Sequence, residues 1–393
     1  MINYAVAYAP EKVDIPATLE FRLPDETPVS AALKDDGSIA VTLRGGEKPV
    51  ATFVALERSL RTSLHGVIND DRAEQHPVLE LRPEGAELST ADIWACIYAL
   101  WLRRADTDYL PLSLAAVPNA LPYVIQTGLA YVPPNDAAYG ATDVLLLRAS
   151  FWQAAGASPE LSWLRSPVPA TPLPTFPSVP VFTRATNVLA LHPLRPPKPS
   201  PGTKLYSRYI AAVGQTLSFT HINAADPRHF ETYCRWQNSD RVNVGWRERG
   251  DEEHHRSYLA ERLQDRHIMG FMVEWDGELA GYGEMSWVKE DHMSTFVGGL
   301  GDFDQGTHLL VGEERFRGHT RFAAIMTSMK HMCFLRDPRT DVVVGEPRAD
   351  LPIIPKLVKA LPQEVNRTFD LPHKRAVYFV LRRQRFFEEG LFY

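Results

Sequence analysis

The sequence predicts a mixed α/β protein made of two tandem halves with similar element order. Three observations predict it. Short apolar, strand-like runs alternate with amphipathic helical stretches along all 393 residues. Prolines concentrate near the middle, with twelve of the 31 between Pro159 and Pro201. The stretch Gly306–Asp350 runs from an apolar strand through a loop of Arg and Gly into a helix, and then into a second strand.

In the first half, Val41–Leu43, Ala51–Leu56 and Val78–Leu81 read as short strands. Ser89–Arg103 reads as a helix, because Ile93, Trp94, Ile97, Leu100 and Trp101 share one apolar face. Leu110–Ala115 as a strand, Ala120–Gly128 as a helix and Asp143–Arg148 as a strand follow. Proline fixes φ and removes a backbone donor, so the Pro-rich segment is expected to be an extended connector. The expected division is 1–157, a linker 158–204, and 205–393.

The second half reads in order from about Leu205. Gln215–His221 alternates like a strand, and Asp226-Pro227 supplies a cap and a first-turn proline for a helix. A second helix covers Glu252–Leu263. Ile268–Trp275 and Leu279–Trp287 are apolar strands joined at Asp276-Gly277, a strong hairpin turn. Strand Thr307–Gly312, helix His319–Leu335, strand Asp341–Val344 and helix Ile353–Leu361 come next. Strands at Val365–Phe369 and Arg375–Leu381 end the series.

Composition narrows the function. Hydrophobic content of 45% and charge of 23% are ordinary for a globular protein. A net charge of −6 without a long basic run argues against nucleic acid as a partner. Cys96, Cys234 and Cys333 are far apart and form no CxxC pair. His254-His255 has no partner at ligand spacing, so no metal is expected. The first residues lack a secretory pattern, and the longest apolar run, Trp94–Leu102, is too short for a bilayer. The expectation is a cytoplasmic protein without a membrane partner.

The loop before His319 suggests chemistry. A loop that opens a helix directly after a strand presents backbone N–H groups and the positive end of the helix dipole, which suits a pyrophosphate. Here the groups run through Phe316, Arg317, Gly318, His319, Thr320, Arg321 and Phe322. Arg315, Arg317 and Arg321 are placed to add charge. A solvated basic turn before a helix fits the same residues. His308, in the strand that feeds this loop, suits a proton acceptor near neutral pH, and equally a core histidine bonded to backbone. Asp350 reads as a second acid/base group or as a helix N-cap. Glu284, Trp287, Glu290 and Asp291 form a carboxylate and aromatic cluster that suits a cationic substrate, and equally alternating strand faces with Glu290 and Asp291 solvated in a turn. Regular alternation would put Glu284 and Trp287 on opposite faces unless a bulge intervenes. Trp246 reads as a substrate wall or as a packing residue.

The motif Arg315-x-x-Gly318-x-Thr320 resembles the phosphate loop of the GCN5-related N-acetyltransferases. The strings Trp236-Gln237-Asn238 with Arg241-Val242, GYGEMSWVKED at 281–291, HLLVGEERFRG at 308–318 and DPRTDVVVGEPRAD at 337–350 resemble the siderophore-biosynthesis acyltransferases of that superfamily. That branch includes the aerobactin hydroxylysine acetyltransferase, the mycobactin lysine acyltransferase and the fungal hydroxyornithine transacylases. The resemblance covers about residues 205–385, and the added first half is similar to the fungal enzymes in particular.

The resemblance implies a GCN5-related fold in tandem, with a degenerate first copy that lacks the coenzyme loop. It implies an acyl-CoA co-substrate, acetyl-CoA or a larger one such as anhydromevalonyl-CoA, held by Leu310, Val311, Gly312 and residues Arg315–Phe322. It implies His308 and Asp350 as catalytic residues, with Glu284 and Trp287 near the acceptor amino acid. The implied reaction acylates the hydroxylamine of N5-hydroxy-L-ornithine. His308 would take the released proton, and Asp350 would orient the acceptor or serve as acid to the thiolate. N6-hydroxylysine as acceptor, an aminoglycoside-type acetyltransferase and a non-catalytic acyl-CoA-binding protein are the rival readings. A homodimer is an expectation from fold analogy.

Overall fold

Alternating apolar residues build two eight-stranded sheets, each assembled by the same moves. The computed structural model describes residues 8, 9, 14–62, 74–105, 107–132, 139–166, 178–182, 189–390 and 392. The chain divides into two compact units, the first built mainly on Lys12–Trp163 and the second on Leu164–Arg208 and Thr216–Gly390.

The first unit carries β1 (Thr18–Arg22), β2 (Pro28–Leu33), β3 (Ile39–Leu43), β4 (Ala51–Thr62) and β5 (Glu74–Pro83). Helix α1 (Thr90–Arg103), β6 (Tyr109–Ser113), α2 (Ala120–Gln126), β7 (Ala130–Tyr131), β8 (Asp143–Leu147) and α3 (Arg148–Trp152) follow. The strand order is β1-β2-β3-β4-β5-β6-β8-β7. Only β5 and β6 run parallel, because α1 crosses between them; their register pairs are Leu79 with Leu112 and Glu80 with Ser113. Helix α1 begins with a capping box. The Ser89 hydroxyl accepts from the Asp92 N–H, and the Asp92 carboxylate accepts from the Ser89 N–H. The unbroken buried run Ile93–Leu102 places Trp94 and Tyr98 among Phe151, Trp152 and Trp163.

Within the segment expected as an extended connector, β9 (Ser178–Phe182) and β10 (Leu189–Pro193) pair as an antiparallel ladder. Residues beyond it pack within the second unit: Arg195 holds Glu290, and Lys198 Nζ donates to Ile268 O at 2.8 Å.

The second unit contains β11 (Lys204–Ile210), β12 (Gln215–His221), α4 (Pro227–Gln237), α5 (Asp240–Trp246), α6 (Glu252–Gln264), β13 (Ile268–Trp275) and β14 (Glu278–Trp287). It continues with α7 (Ser294–Val297), β15 (Gln305–Val311), α8 (His319–Arg336), β16 (Val342–Gly345), α9 (Ile354–Ala360), β17 (Glu364–Leu371), β18 (Lys374–Arg382) and α10 (Arg383–Glu389). Its strand order, β11-β12-β13-β14-β15-β16-β18-β17, repeats that of the first sheet step for step. The two halves are therefore tandem copies of one mixed α/β fold. The copies differ at the junction after their second strand: residues 34–38 join β2 to β3, whereas residues 222–267, with α4 to α6, join β12 to β13.

The β13–β14 turn has Asp276 at φ 46° and Gly277 at φ 79°, the two left-handed residues of a tight hairpin. Helices α4 and α6 cover β13 and β14 through Phe230, Tyr233, Trp236 and Leu259 against Met272 and Tyr282. Sequence periodicity missed α5. Its two valines and a glycine are poor helix formers, and its start is fixed instead by the Ser239 side chain, which accepts from the Val242 N–H.

One feature of the second sheet positions the site. Strand β15 pairs with β14 as far as Val311, but with the parallel β16 only at Gln305 and Gly306. From Thr307 onward β15 and β16 splay apart.

Candidate active site

A cavity of about 770 Å³ opens at that splay. Its walls include Trp246, Glu284, Thr307–Val311, Lys330 and Glu346. The open edge of β15 is polar. Trp246 Nε1 donates to Leu309 O at 3.3 Å, and Arg241 donates to Val311 O at 2.8 Å and to Gly312 O at 2.7 Å. A residue's N–H and C=O point to the same side of a strand, so this edge also presents the Leu309 and Val311 N–H groups.

His308 stands between two carboxylates. It is directly opposite Glu284 in the β14–β15 register, with Nδ1 at 3.3 Å from Glu284 Oε2. Its Nε2 lies 3.0 Å from Glu346 Oε1. Burial disfavours its charge, but Glu346 and Glu284 outweigh burial and push its pKa up to about 10. Burial likewise works against ionised Glu284. The His308 hydrogen bond and the Arg262 charge prevail, and hold it at about 2. Glu346 is held down in the same way, by His308 and by Lys374, whose Nζ is 3.0 Å from Glu346 Oε2. The imidazole is thus a cation at neutral pH, not the neutral base with a near-neutral pKa that the sequence suggested. Its side chain keeps 36% exposure, so it still faces the cavity.

The other expected site residues fall into two groups. Trp246 lines the cavity, its ring centroid 6.3 Å from that of His308. Asp291 also lines it, 3.8 Å from His267 Nε2. Asp350 does not: its side chain is 68% exposed and pairs with Arg348 at 3.0 Å. The acid beside His308 is Glu346, the first residue after β16, while Asp350 lies four residues further into the turn. Trp287 does not line the cavity either. It is 1% exposed, between the guanidinium groups of Arg195 at 4.5 Å and Arg336 at 4.7 Å. The β13–β14 ladder is continuous from Gly283 to Trp287's neighbour Ser286, so no bulge turns Trp287 toward Glu284. Glu284 itself is a buried hub. Its Oε1 accepts from Tyr258 at 2.8 Å, Tyr282 at 2.9 Å and Arg262 at 3.1 Å.

The loop from β15 to α8 is staked from below. Trp236 Nε1 donates to Glu313 at 2.9 Å, and Arg241 holds Glu314 at 2.6 Å. Gly312 lies against the Trp236 ring, where an added Cβ would meet ring carbon at 2.1 Å. Leu310, Val311 and Phe322 line the cavity. Arg315 pairs with Glu278 and Arg317 with Glu314, while Arg321 lies over the Phe316 and Trp275 rings. Helix α8 begins after Gly318, whose φ of 143° is accessible to glycine and which offers no side-chain cap. The first intrahelical bond is Phe322 N–H to Gly318 O, so the N–H groups of His319, Thr320 and Arg321 precede it.

Sequence reasoning did not single out Glu346, Tyr258, Arg262 or Arg241 as site residues. Glu346 was detectable as the residue that ends a strand adjacent to the one bearing His308. The other three reach the site from helices whose placement no local pattern encodes.

A family described as acetyltransferase (GNAT) domain matches residues 226–371, which span α4 to β17 and so contain the splay, the loop and His308. The fold and this match define an acyltransferase of the GNAT class. The chain is 54% identical over 396 residues to acyltransferase ato1 of Omphalotus olearius, with all of both chains covered. It is 54% identical over 348 residues to acyltransferase fer5 of Mycosarcoma maydis, covering 87% of this chain and 80% of that one. It is 35% identical over 318 residues to hydroxyornithine transacylase SID3 of Ajellomyces capsulatus, covering 76% and 72% respectively. The chain belongs to the GNAT acyltransferase family.

Proposed function

We propose that this enzyme transfers an acyl group from coenzyme A to the N5-hydroxylamine of N5-hydroxy-L-ornithine, forming a hydroxamate for siderophore biosynthesis. The observation that carries the proposal is the Glu284–His308–Glu346 array beside the open edge of β15. The likeness to a relative named hydroxyornithine transacylase supports the acceptor. Catalysis is assigned to the second unit, and the first is a copy without the coenzyme loop.

The pyrophosphate would sit at the α8 N-terminus and the pantetheine arm along the splay, with the thioester carbonyl on the Leu309 N–H. The hydroxylamine nitrogen is largely unprotonated at neutral pH and attacks the carbonyl carbon. The C–N bond forms, the C–S bond breaks and the nitrogen gives up one proton. Arg262 on Glu284 and Lys374 on Glu346 offset both carboxylates, so the His308 imidazolium gives its proton to the departing thiolate and is restored by the one the nitrogen releases.

The test is incubation with N5-hydroxyornithine and an equimolar set of acyl-CoAs, with products identified by mass spectrometry. One dominant hydroxamate supports the reading. Acylation of N6-hydroxylysine or an aminoglycoside in parallel, with none of N5-hydroxyornithine, replaces the acceptor. Coenzyme binding with no product in any arm overturns the reading.

A further inference from the structure

Where β15 and β16 part, a lysine is buried in the cavity wall. Lys330 on α8 is 2% exposed and lines the cavity with Thr307, Met326 and Met329. Its Nζ donates to Thr307 Oγ1 at 2.6 Å and lies 3.4 Å from Val344 O, bridging the two strands at the apex of the splay. An ammonium has three donors, and these two partners are neutral oxygens. Glu346 and Cys333 act on it through charge alone, and the oxygens of Glu346 are spent on His308 and Lys374. Taking a cation out of water without a counter-charge is costly unless something else supplies one.

We propose that Lys330 reads the far end of the transferred acyl group, and that the enzyme favours donors whose acyl chain ends in an oxygen acceptor, a carboxylate ahead of a hydroxyl and both ahead of a methyl. The inference rests on the acyl-CoA reading of the cavity. The thioester carbonyl lies beside Leu309 in that reading, two residues from Thr307. At about 3.3 Å per residue this is a span of about 7 Å, the reach of an acyl chain of about five carbons. Met326 and Met329 supply flexible apolar wall for its methylenes. Burial lowers the Lys330 pKa to about 8, which leaves the group largely charged at neutral pH.

The test compares glutaryl-CoA, 5-hydroxypentanoyl-CoA and pentanoyl-CoA, matched in length and different only at the tip. Each is measured twice: as Kd by calorimetry without acceptor, and as hydroxamate formed from N5-hydroxyornithine. The wild-type protein is expected to rank them in that order, with about tenfold between first and last. Lys330→Met should invert the ranking by loss of glutaryl and gain of pentanoyl affinity. Lys330→Gln, which keeps an N–H donor, should lose the preference for glutaryl but keep that for the hydroxyl. A Kd ranking by tip without any hydroxamate would sustain Lys330 as the reader and refute the acceptor. Hydroxamate formed from all three donors with equal Kd overturns the inference, as does a Lys330→Met protein that weakens all three equally, the signature of a strand staple. Should neither variant fold, the wild-type ranking alone decides, and pentanoyl-CoA binding as tightly as glutaryl-CoA overturns it.

Discussion

Glu284 and His308 face each other across β14 and β15, and Glu284 is the more firmly held of the two. One of its oxygens accepts from Tyr258, Tyr282 and Arg262, and the other turns toward the imidazole at 3.3 Å. Glu284→Ala would leave Arg262, itself largely buried, without its carboxylate, together with two tyrosine hydroxyls. Removing one partner of such a buried pair costs about 3–5 kcal/mol. The expected result is a matching drop in unfolding free energy by denaturant titration, and an unchanged midpoint would refute the hub.

Glu346 and Asp350 can be separated by kinetics. Proton transfer by a positioned group contributes about 100-fold or more. Glu346→Gln should therefore lower kcat by about that factor, while Asp350→Asn, altering a solvent-facing pair with Arg348, should leave it close to wild type. His308→Ala should fall at least as far as Glu346→Gln. A folded, coenzyme-binding His308→Ala protein with full turnover would remove the array from the mechanism.

The same array sets a pH window for stability. His308 rises from an ordinary 6.5 to about 10, so its contribution is complete below 6.5 and lost as pH climbs through about 10. Glu284 and Glu346 fall from 4.5 to about 2, so theirs is complete above 4.5 and lost as pH drops through about 2. His267 adds to the alkaline decline: burial opposes its charge, but Asp265 and Asp291 push it up to about 9. Melting temperature should decline on both sides of the interval from 4.5 to 6.5. His308→Gln should flatten the alkaline side, and an alkaline slope unaltered in that variant would contradict the raised pKa.

Gly312 tests the loop. An added methyl would overlap the Trp236 ring, which is buried and bonded through its Nε1 to Glu313. Gly312→Ala should cost about 1–3 kcal/mol, the usual range for overpacking. Because the displaced ring also holds the loop, KM for acyl-CoA should rise with it. A stable variant with unaltered KM would mean that the ring moves freely.

Much of the second half is legible in its sequence because the signals are local. Gln215–His221 alternates and Ile268–Trp275 is an apolar run, each over the bounds it adopts, and Asp276-Gly277 marks the hairpin. The position of His308 was legible because a strand leading into a glycine-bearing loop and a helix is a local pattern. Its charge was not, since that depends on Glu346 arriving from another strand. Asp350 attracted attention as an acid after a strand. Glu346, four residues earlier, is the one that remains beside the splay. Trp287 followed plain strand alternation and turned away from Glu284. Helix α5, which carries Trp246, rests on a cap and on packing rather than on propensity.

The matching strand orders allow the two copies to be read residue against residue from their single parallel pair. Glu80 holds the place of Gly306, so three positions onward Pro83 holds that of Leu309. Where the second copy turns an amide hydrogen into the gap, the first has a ring nitrogen with no hydrogen to give. The helix that follows is shut as well. Ser89 fills the end of α1, and Asp92 places a negative charge in its first turn, where α8 has a bare glycine. If the proposed thioester and pyrophosphate sites of the second copy are right, one imino acid and one self-capped helix would deny the first copy both of them, although its strands lie in the same order.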